Sequence, residues 1–122
     1  MFKIRVKDGF SSAHMLRGYA GDCERLHGHN YRIEATVVSN ELNDIGILID
    51  FRQVKNALKA VLGNLDHRML NELPEFGIDN PSAENIAKCI FLKMKPLIQE
   101  PAKLLEVEVW ETDNCSAVYC EE

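Results

Sequence analysis

The chain has 122 residues, 46% of them hydrophobic and 27% charged, which is the composition of one globular domain spanning 1–122. Fourteen Lys and Arg residues against 19 Asp and Glu residues give a net charge of −5, which argues against a nucleic-acid partner. The sequence has neither an apolar run of about 20 residues nor the apolar core of a signal peptide. We therefore expect a cytoplasmic protein without a membrane partner.

Two segments in the first half of the sequence alternate apolar and polar residues, which predicts two strands. Apolar side chains occupy even positions from Phe2 to Phe10 within 2–10 and odd positions within 30–38. The segment 15–26 between them is polar and contains glycine, which favours a loop over a tight hairpin.

Two helical segments and two further strands follow. Asp50 and Ser82 are suited to begin the helices. The apolar positions expected on the buried helix faces are Phe51, Val54, Leu58 and Val61, then Ile86, Ile90, Phe91, Met94 and Leu97. The segment 104–111 alternates again, with Leu105 expected on the face of Val107 and Val109, and a last strand is expected at about 116–121. The order β-β-α-α-β-β predicts an α+β fold, a four-stranded antiparallel sheet with two helices on one face.

Three of the four histidines continue, at every second position, the rows of residues that are predicted to face inward. His27 and His29 continue the row of Tyr31, and His14 has the parity of Phe10 if no bulge intervenes. Three neutral imidazoles that converge suit a tetrahedral zinc ion with one position left for water or substrate. The alternative is a chance pair of histidines in the H-x-H segment.

Cys23 precedes His27 by four residues and allows two interpretations. As a fourth ligand, its thiolate would close a structural zinc site. As a group beside the metal, it would be a nucleophile or base whose pKa the positive charge lowers. The residues alone leave both possibilities open.

Several acidic residues and the fourth histidine complete the set of candidates. Glu111 has the parity of Val109, so it either reaches solvent at the strand end or accepts paired hydrogen bonds from a planar N–H/NH₂ edge of a ligand. Asp66 and His67 form either a surface ion pair or a proton-handling pair. Glu84 lies in the first turn of the second helix, where a carboxylate is favourable in any case.

Six short motifs resemble the family of 6-pyruvoyl- and 6-carboxy-tetrahydropterin synthases, in the same order along nearly the full length. These motifs are FSSAH (10–14), CERLHGH (23–29), ILIDF (47–51), LDHRMLN (65–71), NPSAENIA (80–87) and WET (110–112). The resemblance implies the tunnelling fold (T-fold), in which trimeric rings of subunits stack into a homohexamer, a dimer of trimers, with active sites between subunits.

The resemblance also implies roles for individual residues. His14, His27 and His29 would bind Zn²⁺, and Cys23 would accept a proton rather than bind the metal. Asp66 and His67 would complete an intersubunit triad with Cys23. Glu111 would anchor the pterin ring of the substrate, 7,8-dihydroneopterin triphosphate, and Glu84 would help to hold it.

Chain length and Cys23 favour the subtype that forms 6-carboxy-5,6,7,8-tetrahydropterin and releases acetaldehyde and triphosphate, on the route to 7-deazaguanine and queuosine. In a second subtype a glutamate replaces the cysteine and cleaves the side chain to 6-hydroxymethyl-dihydropterin for folate. Here Cys23 and Glu24 are adjacent, so Glu24 is either an alternative base or a solvated loop residue. The 6-pyruvoyl reaction is a third possibility, and a non-catalytic zinc-stabilised pterin-binding or oligomerisation module is a fourth.

Overall fold

A computed structural model describes residues 1–18 and 24–121. Within these ranges the chain forms an antiparallel sheet in the order β1-β2-β3-β4 and two α-helices, which confirms the predicted α+β fold and its β-β-α-α-β-β order. The strands are β1 (Phe2–His14), β2 (His27–Ser39), β3 (Lys103–Thr112) and β4 (Cys115–Cys120), and the helices are α1 (Phe51–Leu62) and α2 (Ala83–Met94). No helix in the described part of the chain is long and apolar enough to cross a membrane.

The first two strands are longer than predicted, and this extension positions the histidines. The two strands pair without a break from Phe2 opposite Ser39 to His14 opposite His27. Gly9 allows this pairing, because a Cβ atom there would lie 2.8 Å from the carbonyl oxygen of Tyr31. With no bulge in the ladder, His14 keeps the inward parity that the sequence predicted.

Both helices begin where predicted and bury one face against the sheet. The side chain of Asp50 accepts a hydrogen bond from the backbone N–H of Arg52, and that of Ser82 accepts one from Asn85. The apolar residues between the layers include Ile33, Val37, Val107, Val54, Leu58, Ile86, Ile90 and Phe91, all at most 1% exposed. Each contributes about 1.5–3 kcal/mol by leaving water.

Four expected core positions are not buried as predicted. Phe2 at the start of β1 and Phe51 at the start of α1 are about half exposed, because each opens its element at the edge of the layer. Leu97 is also half exposed, because α2 ends at Met94 and a 3₁₀ turn follows. Leu105 is only partly buried and is not part of the core, because the β2–β3 register shifts between Thr36 and Val37.

Candidate metal centre

The strand register brings four potential metal ligands to the same end of the sheet. His14 pairs with His27, and His29 lies opposite Ser12, so the three imidazoles share the inner face. Glu111 is added from β3. The donor atoms of these four side chains all lie within 4.8 Å of one another, so the group can hold a metal ion.

Two of the rings have their tautomers fixed by the backbone. The Nδ1 atoms of His14 and His27 lie 2.7 Å from the carbonyl oxygens of Pro81 and Arg25, respectively. A carbonyl only accepts, so each Nδ1 carries a hydrogen and each neutral ring has its lone pair on Nε2. These Nε2 atoms lie 2.9 Å apart. Two lone pairs at this distance repel unless a proton or a metal cation lies between them.

The third ring is also unsatisfied. Nε2 of His29 lies 2.8 Å from Oε1 of Glu111, yet this nitrogen has no hydrogen-bond partner in the described part of the chain. Oε1 of Glu111 is also 3.5 Å from Nε2 of His14. A buried nitrogen beside a carboxylate that it does not bind is what a shared cation would satisfy.

The pKa shifts within the cluster follow from burial and from the charges of neighbouring side chains. Burial lowers the pKa of His14, but its hydrogen bond to Glu111, the Pro81 carbonyl and the Glu111 charge outweigh burial and raise the pKa overall. The hydrogen bond to His14 lowers the pKa of Glu111 despite burial. Burial lowers the pKa of His29, and the charges of His14 and His27 reinforce the effect although Glu111 opposes it.

The donor set suits a metal of the zinc type. Imidazole nitrogen and carboxylate oxygen are both zinc ligands, and donors around a tetrahedral zinc ion lie about 3.3 Å apart when the metal–donor distances are about 2.0–2.1 Å. The separations of 2.8, 2.9 and 3.5 Å bracket this value. From the residues alone, Glu111 either reaches solvent or binds the N–H/NH₂ edge of a ligand, and the family resemblance implies a pterin. The structure adds that its carboxylate is within reach of the metal position.

Two asparagines, which the sequence analysis did not single out, hold the chain beside the cluster. Asn71 pairs with both backbone groups of Met15, and Asn80 pairs in the same way with Arg17, at 2.9–3.0 Å. These contacts fix the chain as it leaves β1 and place the Pro81 carbonyl against His14. The asparagines lie inside the motifs LDHRMLN and NPSAENIA, which is the signal that could have revealed them.

Asp66 and His67 lie along the outer edge of β1, where residues 67–69 bond to the strand, and are not members of the four-residue group. The backbone N–H of Ser11 donates to Asp66 Oδ1 at 2.9 Å, and Asp66 Oδ2 lies 2.9 Å from Nδ1 of His67. His67 has a φ of 55°, which residues other than glycine rarely adopt, and its side chain is 81% exposed. The structure therefore presents a fixed imidazole to the outside of the single chain.

Two of the remaining candidates are exposed, and the third is not described by the structure. Glu84 is exposed in the first turn of α2, three residues after Pro81. Glu24 is exposed just before β2 and is not a member of the four-residue group. Cys23 lies outside the residues that the structure describes, so its role rests on the motif alone.

Comparisons with known proteins match nearly the whole chain, including the candidate metal centre. Residues 3–122 match the family described as 6-pyruvoyl tetrahydropterin synthase. The chain is 34% identical over 126 residues to 6-carboxy-5,6,7,8-tetrahydropterin synthase of Bacillus subtilis strain 168, covering 97% of this chain and 84% of that protein. It is 33% identical over 109 residues to dihydroneopterin monophosphate aldolase of Pyrococcus furiosus, covering 89% of each. The structure of 6-pyruvoyl tetrahydropterin synthase from Caenorhabditis elegans aligns with a TM-score of 0.89 at 26% identity, covering 99% and 96% of the two chains.

Proposed function

Because the chain belongs to the 6-pyruvoyl tetrahydropterin synthase family, we propose that it is a zinc-dependent lyase acting on 7,8-dihydroneopterin triphosphate. The proposed product is 6-carboxy-5,6,7,8-tetrahydropterin, with release of acetaldehyde and triphosphate, on the route to 7-deazaguanine and queuosine. The observation that carries the proposal is the 2.9 Å distance between the Nε2 atoms of His14 and His27, which lie beside Glu111. The name of the Bacillus subtilis relative supports this choice of product.

His14, His27 and His29 are the proposed ligands. Bound zinc would supply Lewis-acid polarisation of the substrate's side-chain hydroxyls, which acidifies the neighbouring C–H bond. Cys23 is the proposed base that takes the proton from this carbon. Its place in the motif CERLHGH (23–29), four residues before His27, supports this role.

Glu111 is proposed to fix the pterin ring. Its carboxylate accepts two hydrogen bonds from the N–H and NH₂ edge of the ring. Since Oε1 lies 2.8 Å from His29, a ring held there lies directly beside the proposed metal ligands. Glu84, exposed at the start of α2, is proposed to help hold the ring. This arrangement supplies orientation, which is a large part of catalysis in such sites.

We propose a homohexamer with active sites between subunits. Asp66 holds His67 by Nδ1, so the exposed ring offers Nε2 for proton transfer. In a single chain this pair does not belong to the metal-ligand group. A neighbouring subunit that packs against the exposed side of this pair would bring it to a substrate, which supports its assignment to an intersubunit triad with Cys23.

The direct test is to incubate zinc-loaded protein with 7,8-dihydroneopterin triphosphate and identify products by mass spectrometry. We expect 6-carboxy-5,6,7,8-tetrahydropterin and acetaldehyde, and loss of both in Cys23→Ala. Cys115→Ala is the matched control, because it removes an exposed thiol on β4 outside the site. Absence of the 6-carboxy product from the wild-type protein would reject the assignment, and full activity in Cys23→Ala would reject the base.

A second candidate is side-chain cleavage to 6-hydroxymethyl-dihydropterin with Glu24 as the base, alone or as a dual activity. The adjacent Cys23 and Glu24 favour it, as does the similarity to a protein named dihydroneopterin monophosphate aldolase. Its signature is a 6-hydroxymethyl product that is lost in Glu24→Ala and retained in Cys23→Ala. The same assay detects the 6-pyruvoyl product, the third possibility.

A further inference from the structure

Tyr31 is buried, and its hydroxyl group lacks a hydrogen-bond partner among the described residues. The residue is 1% exposed. A buried hydroxyl without a partner destabilises a folded protein, so buried polar groups are nearly always paired. The exception therefore requires an explanation.

The ring of Tyr31 borders the metal cluster. It stacks on Phe10 with centroids 4.8 Å apart, and its centroid lies 5.4 Å from that of His29 and 5.9 Å from that of His14. Aromatic packing on these sides fixes the position of the ring and leaves the hydroxyl no freedom to reach solvent.

Glu111 borders Tyr31 from the adjacent strand. Arg32 pairs with Trp110, so Tyr31 and Glu111 are the next residues of β2 and β3. No hydrogen bond forms between them, because Glu111 is directed to His14 and His29 instead. Because the carboxylate lies beside the imidazoles, the phenol at the edge of the cluster keeps a donor without an acceptor among the described residues.

We propose that Tyr31 is a positioning residue whose hydroxyl donates a hydrogen bond to an oxygen atom of the ligand enclosed by His14, His29 and Glu111. The inference rests on the proposed metal site and deepens the proposed function, since the substrate side chain carries hydroxyl oxygens of this kind. The donor orients the ligand oxygen and takes no part in proton transfer. A buried hydroxyl without a partner among the described residues lowers the stability of the fold, and the hydrogen bond to the ligand would offset this cost.

The test compares Tyr31→Phe with Tyr119→Phe, which removes a hydroxyl that does have a partner, the Glu121 carboxylate at 2.8 Å. The probe is acetohydroxamate, a small oxygen chelator of zinc, titrated into the zinc-loaded protein by calorimetry. We expect Tyr31→Phe to weaken acetohydroxamate binding by about tenfold, the effect of one lost hydrogen bond. Zinc content should be unchanged, and Tyr119→Phe should bind like the wild type.

A second readout uses the metal-free protein. We expect its Tm to be unchanged or higher in Tyr31→Phe and lower in Tyr119→Phe, because only the second variant loses an existing hydrogen bond. The inference is overturned if Tyr31→Phe binds acetohydroxamate with the wild-type Kd, or if its metal-free Tm falls as that of Tyr119→Phe does. Neither readout uses a pterin, so a failure of the proposed reaction would leave this result independent.

Discussion

Nε2 of His14 lies 2.9 Å from Nε2 of His27, and both rings already donate from Nδ1 to a backbone carbonyl. The fold thus holds two lone pairs together, so a cation between them should stabilise it. We expect one zinc ion per chain. Zinc at a hundredfold excess over Kd should add about 2.7 kcal/mol to the free energy of unfolding, raising Tm by about 10 °C. Metal analysis and thermal unfolding with and without a chelator measure both quantities.

Single variants locate the zinc ion. His27→Ala should lose stoichiometric zinc and the zinc-dependent rise in Tm, because it removes one of the facing lone pairs. His67→Ala is the control, since this exposed imidazole is outside the four-residue group. Equal zinc retention in the two variants would contradict the assignment of the ligands.

Protons should compete with the metal at His14. Its pKa is raised, so zinc affinity should be full above this raised value and should fall as the pH drops through it. Glu111→Gln removes the hydrogen bond and charge that raise this pKa, so the decline should move to lower pH, while zinc affinity at pH 8 falls. Competition with a chromophoric chelator between pH 8 and 5.5 measures both effects. An identical pH profile in Glu111→Gln would show that Glu111 does not control His14.

The fold could be predicted from the alternation of apolar residues and from the helix caps. The prediction failed at one place, where a bulge interrupts the alternation in β3. Alternation back from Val107 and Val109 placed Leu105 in the core. In the structure Ala35 pairs with Val107 but Val37 pairs with Leu104, so a bulge intervenes and Leu104 becomes the buried residue. A one-residue shift reverses the faces, and no local signal marks it, because both positions are leucine.

This bulge gives a matched pair of variants. Leu104→Ala should lower the free energy of unfolding by about 2–5 kcal/mol. The Leu104 side chain is 2% exposed, so its removal leaves a cavity in the core. Leu105→Ala removes the same atoms from a half-buried position and should lower it by about 1 kcal/mol. Urea unfolding of both proteins measures the difference. A larger loss of stability in Leu105→Ala would contradict this register and support the predicted one, in which Leu105 is the core residue.

The candidate site was also predictable in part, because side chains alternate between the two faces of a strand. Parity alone placed His14, His27, His29 and Glu111 on one face, and the structure brings them together. Sequence could not supply the tautomer of His14, because the carbonyl that fixes it comes from Pro81, 67 positions along the chain. Contacts of this kind depend on how α2 docks on the sheet, which no local pattern records.

The Asp66 carboxylate should stabilise the edge of β1 in a pH-dependent way. The Ser11 backbone N–H and then His67 lower its pKa, so its contribution is present above the unfolded-state value and is lost as the pH falls through the lower folded-state value. Asp66→Asn keeps an acceptor oxygen but removes the charge, so its urea midpoint should be lower than that of the wild type at pH 7. The difference should shrink in acid, where the wild-type carboxyl is also protonated. Asp44→Asn, at an exposed loop position, should match the wild type throughout. A constant deficit of Asp66→Asn from pH 7 to pH 3 would mean that the amide disturbs packing and that the charge is not what holds the pair.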